Sequence, residues 1–342
     1  MIKKIIKKCL YHSGLLGSLL RKGERNALTV VLFHRVIPVD DPRWAFADME
    51  WTVSDQFFRE CLKFFKKHYS VISLSDLENA GEGAPLPENP LLITFDDGWA
   101  DNYEYADKIA KEFSVRPLLF VTTSAIDQKI LSWQEAIYSA WRSGEFNQEV
   151  LDEIVRISHI SLELPASEGD CRKIINRLQS SDIQVKDKLR SFAQRMTFKN
   201  YDLPQMMTRE QLRAINASQF DLGTHGEEHE PLTQVLSDAD ALSNSAKALT
   251  QITYQKPPLS MSFPHGVTNA HLQSLALEAG YKYIFTGDMV LNPVTPRDYY
   301  ILGRYNIAQP DFEDTSGRLA SEELAFHLFR QPVKQLDIIG SR

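Results

Sequence analysis

Cysteine is scarce in this chain, and its few thiols are widely separated. The three cysteines, Cys9, Cys61 and Cys171, form no Cys-x-x-Cys pair and no cysteine–histidine spacing of a metal site. This pattern is typical of free, reduced thiols. It fits a cytosolic location but does not require one.

Long apolar runs and an excess of basic residues are also missing. No segment approaches the roughly 20 apolar residues that a membrane-spanning helix needs. The formal net charge is −7, so the chain has no overall basic field that could collect phosphate groups. We therefore expect no nucleic-acid partner. The sequence shows no internal repeat and no low-complexity tract.

The composition is that of a folded protein with a substantial core. Apolar residues make up 43% and charged residues 24% of the 342 positions, which argues against disorder. The length fits one large α/β domain with insertions, or two domains.

Residues 1–28 differ from the rest because lysines and arginines flank a short apolar stretch. Glycine and serine interrupt that stretch, and no convincing cleavage site follows, so it is not a typical signal peptide. Two interpretations remain open. The segment is either a basic amphipathic helix on an anionic membrane surface or a helix packed on the domain. We expect a cytoplasmic protein, with peripheral contact at the inner face of the membrane under the first interpretation.

Apolar strand patterns alternate with helical patterns along most of the chain, which predicts an α/β fold with a largely parallel sheet. The strand patterns occupy residues 27–37, 71–74, 91–95, 117–121, 220–223, 259–263, 283–286 and 300–302. The helical patterns occupy residues 54–68, 238–249 and 270–279, and two more begin near Ser75 and Tyr103. Ligands of such sheets bind at the carboxyl ends of the strands.

The strand rhythm stops between about residues 133 and 203, where the sequence is charged and helix-rich. We interpret this stretch as a helical insertion into a main domain that spans residues 29–315. Residues 316–342 are predicted to form a C-terminal helical tail.

Residues 91–98, with the sequence LLITFDDG, are the most informative segment. The apolar run predicts a buried strand that ends at Asp96 and Asp97. Side chains alternate along a strand, so these two carboxylates should point in different directions. One can then reach a metal while the other reaches a water or a substrate.

His225 and His229 form a second informative pair, directly after a strand that ends in Gly-Thr. Histidines four positions apart can share one face of a helical turn or converge from a loop. Together with one aspartate they would make a set with open coordination positions, suited to a divalent metal that activates water. The alternative is two exposed surface histidines, which explains neither the placement at a strand end nor the aspartate pair.

Residues 94–98 (TFDDG) together with the His225/His229 spacing resemble the polysaccharide deacetylase family, the NodB-homology proteins of carbohydrate esterase family 4. The resemblance extends from about residue 28 to residue 307. Segments 32–36, 263–266, 279–283 and 302–307 resemble a branch of bacterial exopolysaccharide deacetylases. This resemblance implies a distorted (β/α) barrel of the NodB-homology type, with its site at the carboxyl ends of the strands.

The resemblance also implies roles for individual residues. Asp97, His225 and His229 would hold a divalent metal, by default zinc, and Asp96 would be the general base. In that branch, the strand that bears the general-acid histidine lies at the N-terminus, so His34 is the candidate general acid. An ordinary imidazole pKa near 6.5 suits this role. The alternative for His34 is a core histidine bonded to the backbone.

Two departures from the family pattern concern the loops around this set. Gly226 stands where the family usually has serine or threonine, and Pro231 comes one position late. Residues 262–266 (SFPHG) replace a loop whose arginine normally orients the base. Arg304 either supplies that cation or forms an ordinary surface ion pair.

The remaining implied contacts belong to the substrate. The backbone N–H of His265, in the loop with Gly266, would be the second oxyanion donor. Trp99 follows the aspartate pair after a single glycine, so we expect it to stack on a sugar face.

The sequence therefore predicts a metal-dependent hydrolase that removes the N-acetyl group of an amino sugar and releases acetate. Its partner would be an N-acetylated glycan or glycan precursor in exopolysaccharide biosynthesis. Two alternatives remain open. One is a deformylase that acts on a formamido sugar, and the other is a glycan-binding homologue without catalytic activity.

Overall fold

The structure is a computed structural model that describes residues 2–22, 27–129, 132–196, 205–234 and 238–337. Its strands, in chain order, are β1 (Ala27–Phe33), β2 (Arg35–Val36), β3 (Thr52–Val53), β4 (Ser70–Ile72), β5 (Pro90–Phe95), β6 (Leu118–Val121), β7 (Asp221–Thr224), β8 (Ser260–Ser262), β9 (Tyr283–Phe285), β10 (Asn292–Pro293), β11 (Tyr300–Leu302) and β12 (Tyr305–Asn306).

The helices surround these strands or precede them. They are α1 (Ile2–His12), α2 (Leu15–Lys22), α3 (Asp55–His68), α4 (Leu74–Gly81), α5 (Asp107–Phe113), α6 (Trp133–Arg142), α7 (Gln148–Ser158), α8 (Glu168–Gln179), α9 (Ile183–Ala193), α10 (Arg209–Ser218), α11 (Asp238–Thr253), α12 (Ala270–Glu278), α13 (Gln309–Phe312) and α14 (Ser321–Leu328).

Local sequence signals explain where several helices begin. Ser54 caps α3 by accepting a hydrogen bond from the Phe57 backbone N–H. Ser73 and Asp76 form a reciprocal capping box at the start of α4. Such caps satisfy backbone donors that a helix otherwise leaves unpaired.

The main sheet closes almost completely into a barrel. Its strand order is β10-β1-β5-β6-β7-β8-β9-β11, with β4 paired to β5 and β12 paired to β1. Only β10 among these strands runs antiparallel to its neighbour. Strand β11 pairs with β9. The chain then continues into β12, which pairs with β1, so the two edges of the sheet meet. The α/β prediction is confirmed, and the fold is a barrel of the NodB type.

Both faces of the barrel wall are buried, as parallel sheets require. Leu91, Ile93 and Phe95 point outward into a core shared with the surrounding helices. Leu92 points inward and packs with Phe120 from β6. The next inward positions after Leu92 carry Thr94 and then Asp96, so the register of β5 directs this carboxylate toward the barrel axis.

Two segments differ from their sequence predictions. The first strand ends at Phe33, and His34 lies between β1 and β2. The helix expected near Tyr103 begins as a single π turn over Asn102–Ala106 and continues as α5.

The segment expected to be a helical insertion is indeed helical, and it has a small core of its own. Helices α6 to α9 bury the side chains of Trp133, Ile137, Ile154, Leu178 and Leu189 against one another. Residues 197–203 of the predicted insertion lie outside the described residues, and its limits stay a prediction.

The N-terminal helices pack on the barrel domain. Leu16 of α2 belongs to the main core, and Lys7 of α1 pairs with Glu323 of α14 at 2.5 Å. Within the described ranges, no helix has the length and apolar character that a membrane span needs.

The C-terminal segment is helical only in part. It contains α14, after which Val333 and Leu336 form isolated bridges with Leu291 and Ile301. Residues 338–342 of the predicted helical tail lie outside the described residues.

Candidate active site

Three ligand atoms from distant parts of the chain lie together at the carboxyl end of the barrel. Asp97 follows β5, His225 follows β7, and His229 lies in the next loop. Asp97 Oδ1 is 3.5 Å from His225 Nε2 and 3.3 Å from His229 Nε2. All three ligand atoms lie within 4.8 Å of one another, so one small cation can contact them together.

The two adjacent carboxylates both reach His225, because the backbone turns at Asp97. Asp96 Oδ2 lies 3.7 Å and Asp97 Oδ1 lies 3.5 Å from His225 Nε2. Strand β5 ends at Phe95, and Asp97 has a φ of +79°, so strand alternation does not extend to Asp97. The prediction that the two carboxylates point in different directions is therefore wrong. A left-handed conformation costs a residue other than glycine about 1–3 kcal/mol, so this turn holds backbone strain at the site.

The altered histidine motif does not prevent the histidines from converging. They converge from a loop, since no helix is present between β7 and residue 232. Gly226 has a φ of +78°, and a Cβ there would lie 3.1 Å from Glu228 O and 3.2 Å from Pro264. The backbone therefore favours glycine where the family usually has a hydroxyl residue.

The hydrogen bonds around the three ligands leave Asp97 Oδ1 and His225 Nε2 free to contact a cation. Trp99 Nε1 donates to Asp97 Oδ2 at 2.8 Å, while Asp97 Oδ1 is buried without a hydrogen-bond partner. His225 Nδ1 lies 3.0 Å from the backbone carbonyl of Ser262. A carbonyl only accepts, so this nitrogen carries the proton and Nε2 keeps its lone pair toward Asp97.

The electrostatics also fit a cation. Burial, and then the charge of Asp96, raise the pKa of Asp97 to about 8, so the carboxylate lacks a compensating positive charge. Burial lowers the pKa of His225 to about 4 and lowers that of His229 well below its ordinary value. Both imidazoles are therefore neutral, as metal ligands must be. The residues present fit a divalent ion.

Asp96 is held by a buried guanidinium group. Arg304 Nη1 and Nη2 donate to the two Asp96 oxygens at 2.7 and 2.8 Å, and Arg304 Nη2 also donates to Ser262 Oγ. Burial opposes ionisation of Asp96, but the charge of Arg304 and its hydrogen bonds to the carboxylate help to bring the pKa to about 2. Asp96 is therefore ionised at neutral pH. Arg304 is buried, so it is not a surface ion pair.

His34 lies at the wall of the same cavity and is not bonded to the backbone through Nδ1, which is buried without a partner. Asn102 Nδ2 donates to the His34 carbonyl at 2.8 Å and fixes the backbone there. Burial lowers the pKa of His34 to about 3. The expectation of an ordinary pKa near 6.5 is therefore wrong, because the ring is withdrawn from water beside other imidazoles.

Trp99 is buried, whereas the sequence predicts a ring that is open to a sugar. Its side chain is only 3% exposed, and the Arg35 guanidinium lies 4.1 Å from the ring centroid. Arg35 is itself held by Asp101 at 2.9 Å and Gln205 at 2.9 Å. A covered ring cannot offer an open stacking surface, so the sugar-stacking prediction for Trp99 is wrong. Its contact with Asp97 makes Trp99 a support for the ligand set.

The loop after β8 completes one side of the site. His265 and Gly266 line the cavity, and the His265 ring lies 4.4 Å from the His229 ring. The Gly266 N–H donates to Phe263 O at 2.9 Å. It is therefore already used within the loop, and an oxyanion role stays a prediction for the His265 N–H alone.

These groups open into a cavity of about 680 Å³. Its wall includes the ligand set and Asp96 and also Gln134 of α6 and Asn176 of α8, so the helical insertion forms part of it. Sequence reasoning missed Trp51, Arg35 and Ser262, which also lie at the site. Arg35 and Ser262 lie within segments 32–36 and 262–266, which the sequence had already singled out, whereas Trp51 lies in a loop without a pattern.

The fold and this site define a (β/α)-barrel protein with a carboxylate and two histidines grouped at the carboxyl ends of its strands. The family model described as polysaccharide deacetylase matches residues 83–284. The chain belongs to the polysaccharide deacetylase family.

Solved structures support the same fold. The deacetylase PplD of Streptococcus pyogenes, in complex with acetate, has a TM-score of 0.56 and 13% identity, and the match covers 88% of this chain and 98% of that chain. IcaB from Ammonifex degensii has a TM-score of 0.53 and 15% identity, over 89% and 97% of the two chains. A de-N-acetylase from Aggregatibacter actinomycetemcomitans has a TM-score of 0.52 and 16% identity, over 81% and 94%. No curated protein matches the chain.

Proposed function

We propose that this protein hydrolyses the N-acetyl group of an amino sugar in a glycan or glycan precursor and releases acetate. The observation that carries the proposal is one cavity in which Asp97, His225 and His229 converge beside the Arg304-bound carboxylate of Asp96. Two of the similar structures are a deacetylase and a de-N-acetylase. Membership of the family supports the same reaction class.

Asp97, His225 and His229 would hold the metal, and zinc is the default for two imidazoles and a carboxylate. When bound, such an ion polarises the amide carbonyl and acidifies water. Trp99 and the Ser262 carbonyl keep two of these ligands in their orientations.

The chain's own residues would move the protons. Asp96, ionised and fixed by Arg304, accepts a proton from the attacking water. His34 lines the same cavity and passes a proton to the departing amine. Because burial keeps His34 neutral before the reaction, the proton that it delivers is the one that Asp96 has taken up.

The test is acetate release from N-acetylglucosamine oligomers by the metal-loaded protein, with metal content measured in parallel. Asp96→Asn should lower acetate release by about 100-fold or more, the usual contribution of a general base, while the metal content stays stoichiometric. A chelator should abolish release, and added zinc should restore it.

Asp127→Asn is the matched control, because Asp127 pairs with Arg209 at the surface. This variant should release acetate as the unchanged protein does. Undiminished activity of Asp96→Asn, or activity without metal, would contradict the assigned roles. Release of formate from a formamido sugar, without acetate from its acetylated counterpart, would point to the deformylase instead.

The cytoplasmic location and the membrane contact are predictions from the sequence. The packing of α1 and α2 on the domain accounts for the N-terminal segment without a membrane.

A further inference from the structure

Arg35 is a buried cation that takes no part in the proposed reaction. Its side chain is only 2% exposed, and a buried guanidinium group is costly unless its N–H donors find acceptors. Nε donates to Asp101 Oδ2 at 2.9 Å, and Nη2 donates to Gln205 Oε1 at 2.9 Å. Glu135 of the helical insertion lies 3.5 Å from Nη1. Partners from three separate parts of the chain therefore fix the position of this group.

The guanidinium group of Arg35 covers the ring of Trp99. Its central carbon lies 4.1 Å from the ring centroid, a distance at which a cation and an aromatic ring attract each other. A planar guanidinium group also stacks well on an indole. Ala125 and Met206 belong to the same buried cluster as the ring. Arg35 is thus the charged part of an enclosure that sets the orientation of the indole.

The orientation of the indole matters because Trp99 bonds a proposed metal ligand. Trp99 Nε1 donates to Asp97 Oδ2 at 2.8 Å. An indole has a single N–H donor, so a rotated or tilted ring would lose this bond. The other oxygen, Asp97 Oδ1, is buried without a hydrogen-bond partner and lies 3.5 Å from His225 Nε2 and 3.3 Å from His229 Nε2. The bond to Trp99 therefore leaves Oδ1 toward the two histidines.

The two adjacent carboxylates are supported by different arginines in different ways. Arg304 binds both oxygens of Asp96 directly. A guanidinium group that bound Asp97 in the same way would occupy the oxygens that a cation needs. At Asp97 an indole stands between the carboxylate and the arginine, so the carboxylate is oriented while Oδ1 stays open.

We propose that Arg35 is a positioning residue for Asp97 and acts through Trp99. The guanidinium group holds the indole, the indole N–H holds Oδ2, and Oδ1 is thereby presented to a divalent cation beside the two histidines. This inference rests on the proposed function for the metal that Asp97 would bind. Metal affinity then depends on an arginine that is not itself a ligand.

The test measures zinc affinity by competition with a metal-binding dye, without any substrate. Trp99→Phe keeps an aromatic ring beside Arg35 but removes the N–H donor. It should weaken zinc binding by about tenfold or more, as losses of contacts behind metal ligands usually do. Arg35→Gln should weaken zinc binding by about the same factor. Arg35→Lys should recover part of the affinity, because an ammonium group can still lie over the indole.

A double variant separates an effect through Trp99 from a general effect on the fold. In the Trp99→Phe background, Arg35→Gln should cause little further loss of zinc affinity, because the contact through which Arg35 acts is already absent. Losses that add fully in the double variant would overturn the proposal, and so would an Arg35→Gln variant that binds zinc as the unchanged protein does.

Arg43→Gln is the matched control. Arg43 is also buried, pairs with Asp41 at 2.7 Å and lies 5.8 Å from the ring centroid of Tyr105. The Tyr105 hydroxyl donates to Asp41 and not to the ligand set. This variant should lower the stability to denaturant and leave zinc affinity unchanged.

A second variant of Arg35 keeps the test open where Arg35→Gln does not fold. Arg35→Gln combined with Asp101→Asn removes both charges of the buried pair, so no carboxylate is left buried without its cation. The same loss of zinc affinity is expected for this pair of substitutions, and unchanged affinity would again overturn the proposal.

The outcomes also separate this inference from the proposed reaction. Equal zinc affinity in Trp99→Phe, Arg35→Gln and the unchanged protein, with acetate release intact, would reject the inference and keep the deacetylase. Zinc binding that depends on Arg35, in a protein that releases no acetate, would keep the inference and reject the deacetylase. An unchanged protein that binds no zinc would overturn both.

Discussion

At the scale of single residues, Arg304 sets the ionisation of the aspartate pair. Its guanidinium binds both oxygens of Asp96 and brings that pKa to about 2, whereas burial and the neighbouring charge raise the pKa of Asp97 to about 8. Neighbouring carboxyl groups whose pKa values are pushed apart commonly take different roles in one reaction. It is also the contact that the family resemblance led us to expect of Arg304 in place of a loop arginine.

Arg304→Gln should shift the acid limb of the pH profile toward higher pH. Without the guanidinium charge, burial of Asp96 is less strongly opposed, so its pKa rises. A general base acts only when it is unprotonated. As the pH falls, the variant therefore loses activity at a higher pH than the unchanged protein does. The measurement is kcat/KM for acetate release across the acid range.

Arg297→Gln serves as the control, since Arg297 pairs with Asp337 at the surface. A profile of Arg304→Gln that coincides with the control's would show that Arg304 does not tune the base.

At the scale of elements, the helical insertion contacts the loop that carries His225 and His229. Glu230, directly after His229, is buried. Lys186 and Arg190 of α9 lie 3.7 and 3.4 Å from its carboxylate, and Trp133 of α6 donates to it at 3.4 Å. The insertion therefore contacts the loop at the position where the family usually has proline.

Glu230→Gln should weaken metal binding by about tenfold or more, as losses of contacts behind metal ligands usually do. The neutral amide no longer offers a negative charge to Lys186 and Arg190, which loosens the loop beside His229. The measurement is competition with a metal-binding dye.

Glu228→Gln is the control for this variant. Glu228 also pairs with Arg190, at 3.0 Å, but its side chain is 51% exposed. It should bind metal as the unchanged protein does. Equal affinity in both variants would mean that the insertion does not support the histidine loop.

At the scale of the whole molecule, the barrel is extended by helices from both ends of the chain. Leu16 of α2 joins the main core, and α1 contacts α14 through Lys7 and Glu323. The N-terminal segment therefore contributes to the stability of the domain.

Leu16→Ala should destabilise the protein by about 2–5 kcal/mol, the usual cost of truncating a buried leucine. Leu15→Ala, at a neighbouring position that is 56% exposed, should change the free energy of unfolding by less than about 0.5 kcal/mol. Denaturant unfolding of both variants measures the difference. Equal stabilities would favour the alternative in which this segment rests on a membrane surface.

The fold was largely predictable from local patterns. Apolar runs such as residues 91–95 and 117–121 locate β5 and β6 because a strand buried on both faces needs a continuous apolar segment. The interruption of the first strand at His34 and the conformation of the loop at residues 225–231 were not predictable in detail. Their backbone conformations depend on contacts with other elements, such as the bond from Asn102 to the His34 carbonyl.

The sequence by itself determined the strand positions and the α/β class, because periodicity is contained in short contiguous segments, and its resemblance to the family singled out Asp97, His225 and His229. Only the tertiary structure decided that Arg304 binds Asp96, 208 positions away, and that Trp51 is the exposed indole of the cavity while Trp99 is covered. These contacts arise where barrel closure and helix packing bring distant segments together, and no local pattern specifies them.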